Sequence, residues 1–531
     1  MNRTSKNPRV LFVTPEISYL PDEMGSSSSF QRARAGGLGD MSAALIHALF
    51  YKGVDIHLAL PDYRTIFNSQ DLQNIQNRLN FVHQKDSIER IHLAQDSAFF
   101  NVKRVYSSSD LENITMSLAF QREVVHHIVP EVRPDLIHCN DWMTSLIPAM
   151  ARELKIPCLF TIHNIHTMHT LLSQLDDNGM DSKTFWRNLY YSSYPGDYQE
   201  TRNKIPLDFL VSGIFAAHFV NTVSPAFLEE IITRQHDVVS DALMQELAKK
   251  KAEGCAEGIL NAPDPSYNPE KDRSLFREYS PESHLDGKKS NKLYLQKELG
   301  LKVDPDAPLF FWPSRLDPIQ KGCHLFTEIL YNIISRYWDQ NLEVIFVADG
   351  PYQKNFHDIV RIHDLSNRVA VCNFNEKLSR LTFGASDFIL MPSRFEPCGL
   401  PQMIGSIYGA LPIARDTGGI HDTVSQLDIG NNRGNGFLFK EYNPNGLSWA
   451  IDQGMRFFQL PIAVKSRQIG RIMKESQKRF CFEKTASRYT SLYEKMLNRP
   501  LICREKTNEN NPMITDLCPS SRNQTQRLTY P

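Results

Sequence analysis

Short, continuously apolar runs recur along the chain, separated by longer stretches with a helical period. In the first half the runs are VLFVT (10–14), DIHLAL (55–60), DLIHCN (135–140), PCLFTIHN (157–164) and HFVNTVS (218–224). The second half repeats the scheme with PLFFWPSR (308–315), LEVIFVADG (342–350), VAVCNF (369–374), DFILMPS (387–393) and LPIARDTGG (411–419). Runs that stay apolar instead of alternating predict strands covered on both faces, the habit of parallel sheets flanked by helices. The pattern therefore predicts an α/β chain of two doubly wound units. Between them, APDPSYNPEKDRSLFREYSPESHLDGKKSN (262–291) is rich in Pro, Asp and Ser and predicts a linker or a lid-like connection. The polar close, MITDLCPSSRNQTQRLTYP, predicts a disordered tail from about residue 500.

Composition narrows the partners more than the fold. At 531 residues the chain exceeds what one core holds, and 41% hydrophobic with 22% charged residues is ordinary for a globular protein. Lys and Arg number 59 against 60 Asp and Glu, so no overall charge draws the chain to nucleic acid or an anionic membrane. The nine cysteines are scattered and form no CxxC, which predicts reduced thiols. The apolar run behind MNRTSKNPR is too short for a signal peptide, and no run approaches a membrane span. A cytoplasmic protein is expected; a processed organelle form would read the same way.

The chemistry gathers where predicted strands end. RARAGGLGDMSAAL (32–45) puts Gly36, Gly37 and Gly39 between a strand and a helix, where backbone N–H groups and the positive helix end suit a phosphate. As a dinucleotide fingerprint it is poor, because the sixth position is Ser42, and a tight turn without a ligand reads equally well. PSRLDPIQKG sets Arg315 and Lys321 past one strand, and PSRFEPCGLPQM sets Arg394 and Glu396 past another, ahead of a helix from Pro401. DTGGIHDTV adds Gly418 and Gly419 before a further helix. Two cations and several free N–H groups there suit a diphosphate. In HNIHTMH, His163, His166 and His169 recur by threes without a carboxylate ligand, so no metal is expected.

Taken together, RARAGGLGD, HCNDWM, TIHN, NTVSP, GILN, SRLDPIQKG, MPSRFEPCGL, DTGGIHDTV and FEKTASRY make the chain resemble the bacterial glycogen synthases and plant starch synthases. These are retaining glucosyltransferases of family 5 that use ADP-glucose and have two Rossmann-like domains facing across a cleft, the GT-B fold. The likeness runs from about residue 8 to 497. It implies an N-terminal, acceptor-side domain over 1–265, a nucleotide-sugar domain over 266–475, a C-terminal helix over 476–500 returning to the first domain, and a tail over 501–531.

The resemblance also implies roles. Glu396, Arg315, Lys321, His163 and Asp141 would form the catalytic set; Arg34, Gly36, Gly37, Asp40, Asn261, Cys398, Gly399, Leu400, Thr417, Gly418 and Gly419 would bind the sugar nucleotide. The substrates implied are ADP-glucose and an α-1,4-glucan such as glycogen or starch, with no cofactor, nucleic acid or membrane. Several positions depart from the family pattern. Arg34 replaces a lysine, PDEMGSSSSFQ (21–31) lengthens the approach to the glycine turn, and SRLDPIQKG carries one extra residue between its cations. HNIHTMH lacks the usual aromatic and glycine continuation, and Pro401 cannot offer the N–H common at that helix start. Two alternatives stand beside this reading: another GT-B donor or acceptor, and a glucan-binding paralogue with weakened catalysis.

Overall fold

The computed structural model describes residues 7–25, 32–69 and 89–502. Two parallel sheets form the frame. The first joins β1 (Arg9–Val13), β2 (Asp55–Pro61), β3 (Ile91–Ala94), β4 (Leu136–Asn140) and β5 (Cys158–Ile162) to β8 (Phe219–Thr222) and β9 (Ala256–Gly258), in the order β3-β2-β1-β4-β5-β8-β9. A small antiparallel pair, β6 (His169–Thr170) and β7 (Leu207–Asp208), lies outside it. The second sheet contains β10 (Leu309–Trp312), β11 (Glu343–Val347), β12 (Val369–Cys372), β13 (Phe388–Met391), β14 (Leu411–Arg415) and β15 (Phe437–Phe439), ordered β12-β11-β10-β13-β14-β15.

Continuous apolar character has the expected cause. Every residue of β2, β4, β5, β8, β10, β11 and β13 is buried, because helices cover both sheet faces. In the second sheet Trp312 stacks on Phe326 at 5.7 Å between ring centroids, and Phe346 meets Phe356 at 4.3 Å. The strands that the apolar pattern does not reveal are short or polar: Ala-Glu-Gly in β9, three residues in β15, four in β3.

In each sheet the chain winds outward from a central strand and then restarts on that strand's other side. The restarts fall between β1 and β4 and between β10 and β13. Ligands of doubly wound sheets bind beyond the carboxyl ends of the strands at such switch points. Glu16 follows β1, Asp141 follows β4, Arg315 and Lys321 follow β10, and Glu396 follows β13.

Segment 262–291 is not a lid. Its Tyr279 is buried and donates its hydroxyl to the Tyr408 carbonyl at 2.7 Å, while Asp272 accepts from the Tyr408 hydroxyl at 2.5 Å and pairs with Arg380 at 3.3 Å. The helix His284–Leu299 starts within it and packs on the helix Glu376–Ala385. Polar composition misleads here because the polar atoms are spent on the second domain. Residues 26–31 of the lengthened loop and 503–531 of the expected tail lie outside the described residues.

The helix Phe482–Leu497 packs on the first domain against the helix Gly37–Tyr51. It inserts two fully buried tyrosines: Tyr489 accepts from Asn221 Nδ2 at 3.0 Å, and the Tyr493 hydroxyl meets His138 Nδ1 at 2.7 Å. Among the described residues no helix is long and apolar enough to cross a membrane. Truncating Tyr493 removes a buried ring and strands His138 Nδ1. Tyr493→Ala is expected to destabilise the first domain by about 3–5 kcal/mol. Thermal unfolding checks this; an unchanged melting temperature would refute the anchoring role of the helix.

Candidate active site

On the first domain, the glycine turn is held from below by a carboxylate. Glu16 is buried, accepts the N–H groups of Ala35 at 2.9 Å and Gly36 at 2.8 Å, and receives the Tyr106 hydroxyl at 2.7 Å. Burial raises its pKa against these hydrogen bonds. The N–H groups of Gly37 and Leu38, at the first turn of a helix, have no partner among the described residues. A Cβ built on Gly36 or Gly37 would meet nothing within 4 Å, so protein packing does not demand glycine there. The space left open belongs to the cleft. Arg34 pairs with Asp40 at 2.7 Å and reaches across the cleft to Glu376 at 3.7 Å and the Phe374 ring at 5.7 Å.

Asp141, just past β4, adopts a left-handed φ of 58°. Its carboxylate accepts the N–H groups of His163 at 2.6 Å and Asn164 at 3.3 Å, which fixes the turn after β5. Burial nevertheless lifts its pKa to about 7. His163 Nε2 lies 3.0 Å from Asn140 Oδ1, whose amide nitrogen is committed to the Val13 carbonyl. That arrangement puts the imidazole proton on Nε2. Burial lowers the His163 pKa to about 3, so the ring is neutral near pH 7.

On the second domain, Lys321 Nζ lies 2.9 and 2.7 Å from the two oxygens of Glu396, and the Ser393 hydroxyl donates to the same carboxylate at 2.9 Å. Arg315 is exposed to the cleft with no ion-pair partner among the described residues. Asn261 Oδ1 is buried and also lacks a partner. Burial pushes the Cys398 thiol up to about 12, which keeps it protonated. The N–H groups of Gly399 and Leu400 have no partner among the described residues, and Pro401 removes the next. Arg394, from the same loop, turns away and pairs with Asp237.

These groups converge on a cavity of about 480 Å³ between the domains. Arg34, Gly36, Gly37, Asp40, His163, Asn261, Arg315, Lys321, Glu396, Cys398, Gly399 and Leu400 line it, whereas Asp141, Thr417, Gly418 and Gly419 do not. Asp141 sits behind His163. The N–H groups expected to be free at the Gly418 helix start are taken: Gly418 donates to Glu230 at 2.6 Å and Gly419 to the Glu396 carbonyl at 2.9 Å. The glycine pair answers to packing, since a Cβ on Gly418 would lie 2.1 Å from the Glu396 carbonyl oxygen and one on Gly419 2.0 Å from that of Cys398.

Sequence reasoning passed over Glu16, Glu230, Tyr267 and Phe374. The Phe374 ring is 46% exposed on the cavity wall, and an aromatic near a strand end was the signal that could have marked it. A larger groove of about 910 Å³ lies elsewhere on the first domain, among residues preceding β4 and β5 such as Pro134 and Ile156. Being at the amino ends of those strands, it is remote from all the groups above. Among the described residues no cluster of three or more His, Cys, Asp or Glu could hold a metal ion.

The starch synthase catalytic domain profile matches residues 9–246, and that of the group 1 glycosyl transferases matches 300–456. A glycogen synthase of Clostridium perfringens is 30% identical over 515 residues, which cover 92% of this chain and 98% of that protein. The chain belongs to the glycogen synthase family. A family member from Clostridioides difficile is 32% identical over 449 residues, 80% of this chain and 90% of its own. The catalytic domain of starch synthase IV from Arabidopsis thaliana matches with a TM-score of 0.74 at 24% identity, covering 93% of this chain and 100% of that one. The fold is GT-B, and the chain is a glycosyltransferase with glycogen or starch synthase function.

Asp141 gives a pH test of this site. Its folded pKa of about 7 exceeds the ordinary carboxyl value near 4, so between them the folded state binds more protons than the unfolded. The contribution of Asp141 to stability therefore falls as pH rises through that window. Asp141→Asn, which keeps an acceptor without the charge, is expected to gain melting temperature over the wild type progressively from pH ~4 to ~8. Parallel melting curves for the two proteins across that range would refute the assignment.

Proposed function

We propose that the chain transfers glucose from ADP-glucose to the non-reducing end of an α-1,4-glucan, with retention of configuration. The observation that carries this reading is the convergence of Arg315, the Lys321–Glu396 pair and two helix starts with unpartnered N–H groups on one cleft. Transfer at an anomeric carbon builds positive charge on the sugar while a nucleoside diphosphate leaves with negative charge. Preorganised cations and N–H groups aimed at the departing charge supply most of the rate.

In this mechanism Arg315 holds the diphosphate, together with the N–H groups of Gly37 and Leu38 on one side and of Gly399 and Leu400 on the other. Lys321 balances the charge of Glu396 and contributes to the phosphate side. Glu396 binds glucose hydroxyls and favours the developing positive charge. His163, neutral and fixed by Asp141 and Asn140, faces the sugar, and Asn261 Oδ1 accepts from a sugar hydroxyl. Phe374 offers a ring face to the adenine. Arg34 and Asp40, paired with each other, border the sugar and acceptor side. The Arabidopsis starch synthase IV structure contains ADP and acarbose, which supports an adenine nucleotide and a glucan-like acceptor as the pair of substrates.

Pro401 favours a second reading, a glucan-binding paralogue with weakened transfer, because it removes an N–H at the phosphate-facing helix start. Incorporation of labelled glucose into glycogen, with ADP-glucose and UDP-glucose in parallel, separates the two. Transfer from ADP-glucose is expected, and Glu396→Ala or Lys321→Ala should each reduce turnover by about two to three orders of magnitude. Near-normal transfer by either variant would overturn the roles, and glucan binding without transfer from either donor would leave the paralogue. Pro401→Ala restores the N–H and should lower KM for ADP-glucose about three- to tenfold. An unchanged KM would show that this position makes no phosphate contact.

A further inference from the structure

Glu230 is a buried carboxylate that the transfer mechanism above does not use. It belongs to the helix Pro225–Ile232, which follows β8 of the first domain, yet two of its partners, Thr417 and Gly418, lie in the second. One oxygen accepts the Gly418 N–H at 2.6 Å; the other accepts the Thr417 hydroxyl at 3.1 Å and lies 2.8 Å from His236 Nε2. Burial pushes this carboxyl up, and the hydrogen bonds from His236 and Gly418 outweigh that push, leaving it below its ordinary pKa and ionised near pH 7.

The turn that Glu230 holds is in direct contact with the catalytic loop. Gly419, the residue after Gly418, donates to the Glu396 carbonyl at 2.9 Å, and Glu396 carries the carboxylate bound by Lys321. The contact is tight enough that any side chain on Gly418 or Gly419 would overlap the backbone of Glu396 or Cys398. Two more residues of the same arm support the contact: the Ser224 hydroxyl donates to the Pro397 carbonyl at 2.6 Å, and the Ala226 N–H donates to Asp422 at 2.8 Å.

We propose that Glu230 is an interdomain positioning residue. It fixes the Thr417–Gly419 turn from the opposite domain, and the turn in turn fixes the backbone of Glu396, so the placement of the Glu396 carboxylate depends on how the two domains meet. Glu230 touches no substrate in this role; it acts through Gly418 and Gly419. The inference rests on the proposed role of Glu396.

Glucose transfer by the full chain, resolved into kcat and KM, tests it. Glu230→Ala is expected to lower kcat at least about tenfold while KM for ADP-glucose stays within about twofold, since a small displacement of a reacting group costs rate more than binding. Glu230→Gln keeps an oxygen for the Gly418 N–H and should stay within about threefold of wild-type kcat. Glu230→Asp keeps the charge but is one methylene too short to serve Gly418 and His236 together, and should be as slow as the alanine variant. If the alanine variant does not fold, the Gln and Asp pair carries the test.

Wild-type kcat in Glu230→Asp, or a Gln variant as slow as the Asp one, would overturn the proposal. A wild type that transfers no glucose would instead refute the functional reading. The tether is then read by hydrogen exchange at the Gly418 and Gly419 amides, which should accelerate in Glu230→Asp and not in Glu230→Gln. Equal exchange in all three proteins would refute the tether itself.

Discussion

The cleft is organised around one buried ion pair, Lys321 with Glu396. Their side chains are 11% and 7% exposed, and two charges removed that far from water are tolerated only when each is closely paired and further hydrogen-bonded. The surroundings meet that condition. Ser393 donates to the carboxylate, the Gly419 N–H fixes the same residue's backbone, and the turn containing Gly419 is held by Glu230 from the other domain. Much of the geometry that would otherwise look like separate loops serves this pair.

Sheet topology explains why the pair sits where it can work. Each sheet starts on a central strand, and its switch point brings two loops side by side at the carboxyl edge. The first sheet delivers Glu16 and Asp141 there, neither of which lines the cavity. Glu16 holds the Arg34–Gly37 turn and Asp141 holds the His163–Asn164 turn, each by two backbone N–H groups. The second sheet delivers Arg315, Lys321 and Glu396, which line the cavity themselves. The two domains thus contribute different chemistry to the cleft. The first presents backbone and a neutral imidazole shaped by buried carboxylates, together with the mutually paired Arg34 and Asp40, and the second presents Arg315 and the Lys321–Glu396 pair.

Much of this was legible in the sequence, for a physical reason. Strands covered on both faces have to be continuously apolar, so ten of them stand out, and the polar residues after them fall at the carboxyl edge, the edge at which doubly wound sheets generally bind ligands. What escaped was whatever depends on a partner distant in the chain. Glu16 and Glu230 look like any solvated glutamate until Ala35, Gly36, Gly418 and Thr417 are seen to donate to them. Gly418 and Gly419 look like a phosphate turn because glycine serves both open space and close backbone approach; only the 2.1 Å and 2.0 Å distances show which applies. Segment 262–291 reads as a linker because its polar atoms are counted, while the burial of Tyr279 and Asp272 on the second domain is not visible in a composition.

In the proposed mechanism this cleft holds a nucleoside diphosphate between cations of one domain and helix-start N–H groups of both. A structure of the protein crystallised with ADP tests that claim most directly. The diphosphate is expected within hydrogen-bond distance of Arg315 and of the N–H groups of Gly37 or Leu38 and of Gly399 or Leu400, with the adenine against Phe374. ADP bound elsewhere, or in the cleft with Arg315 turned away and those N–H groups unengaged, would contradict it.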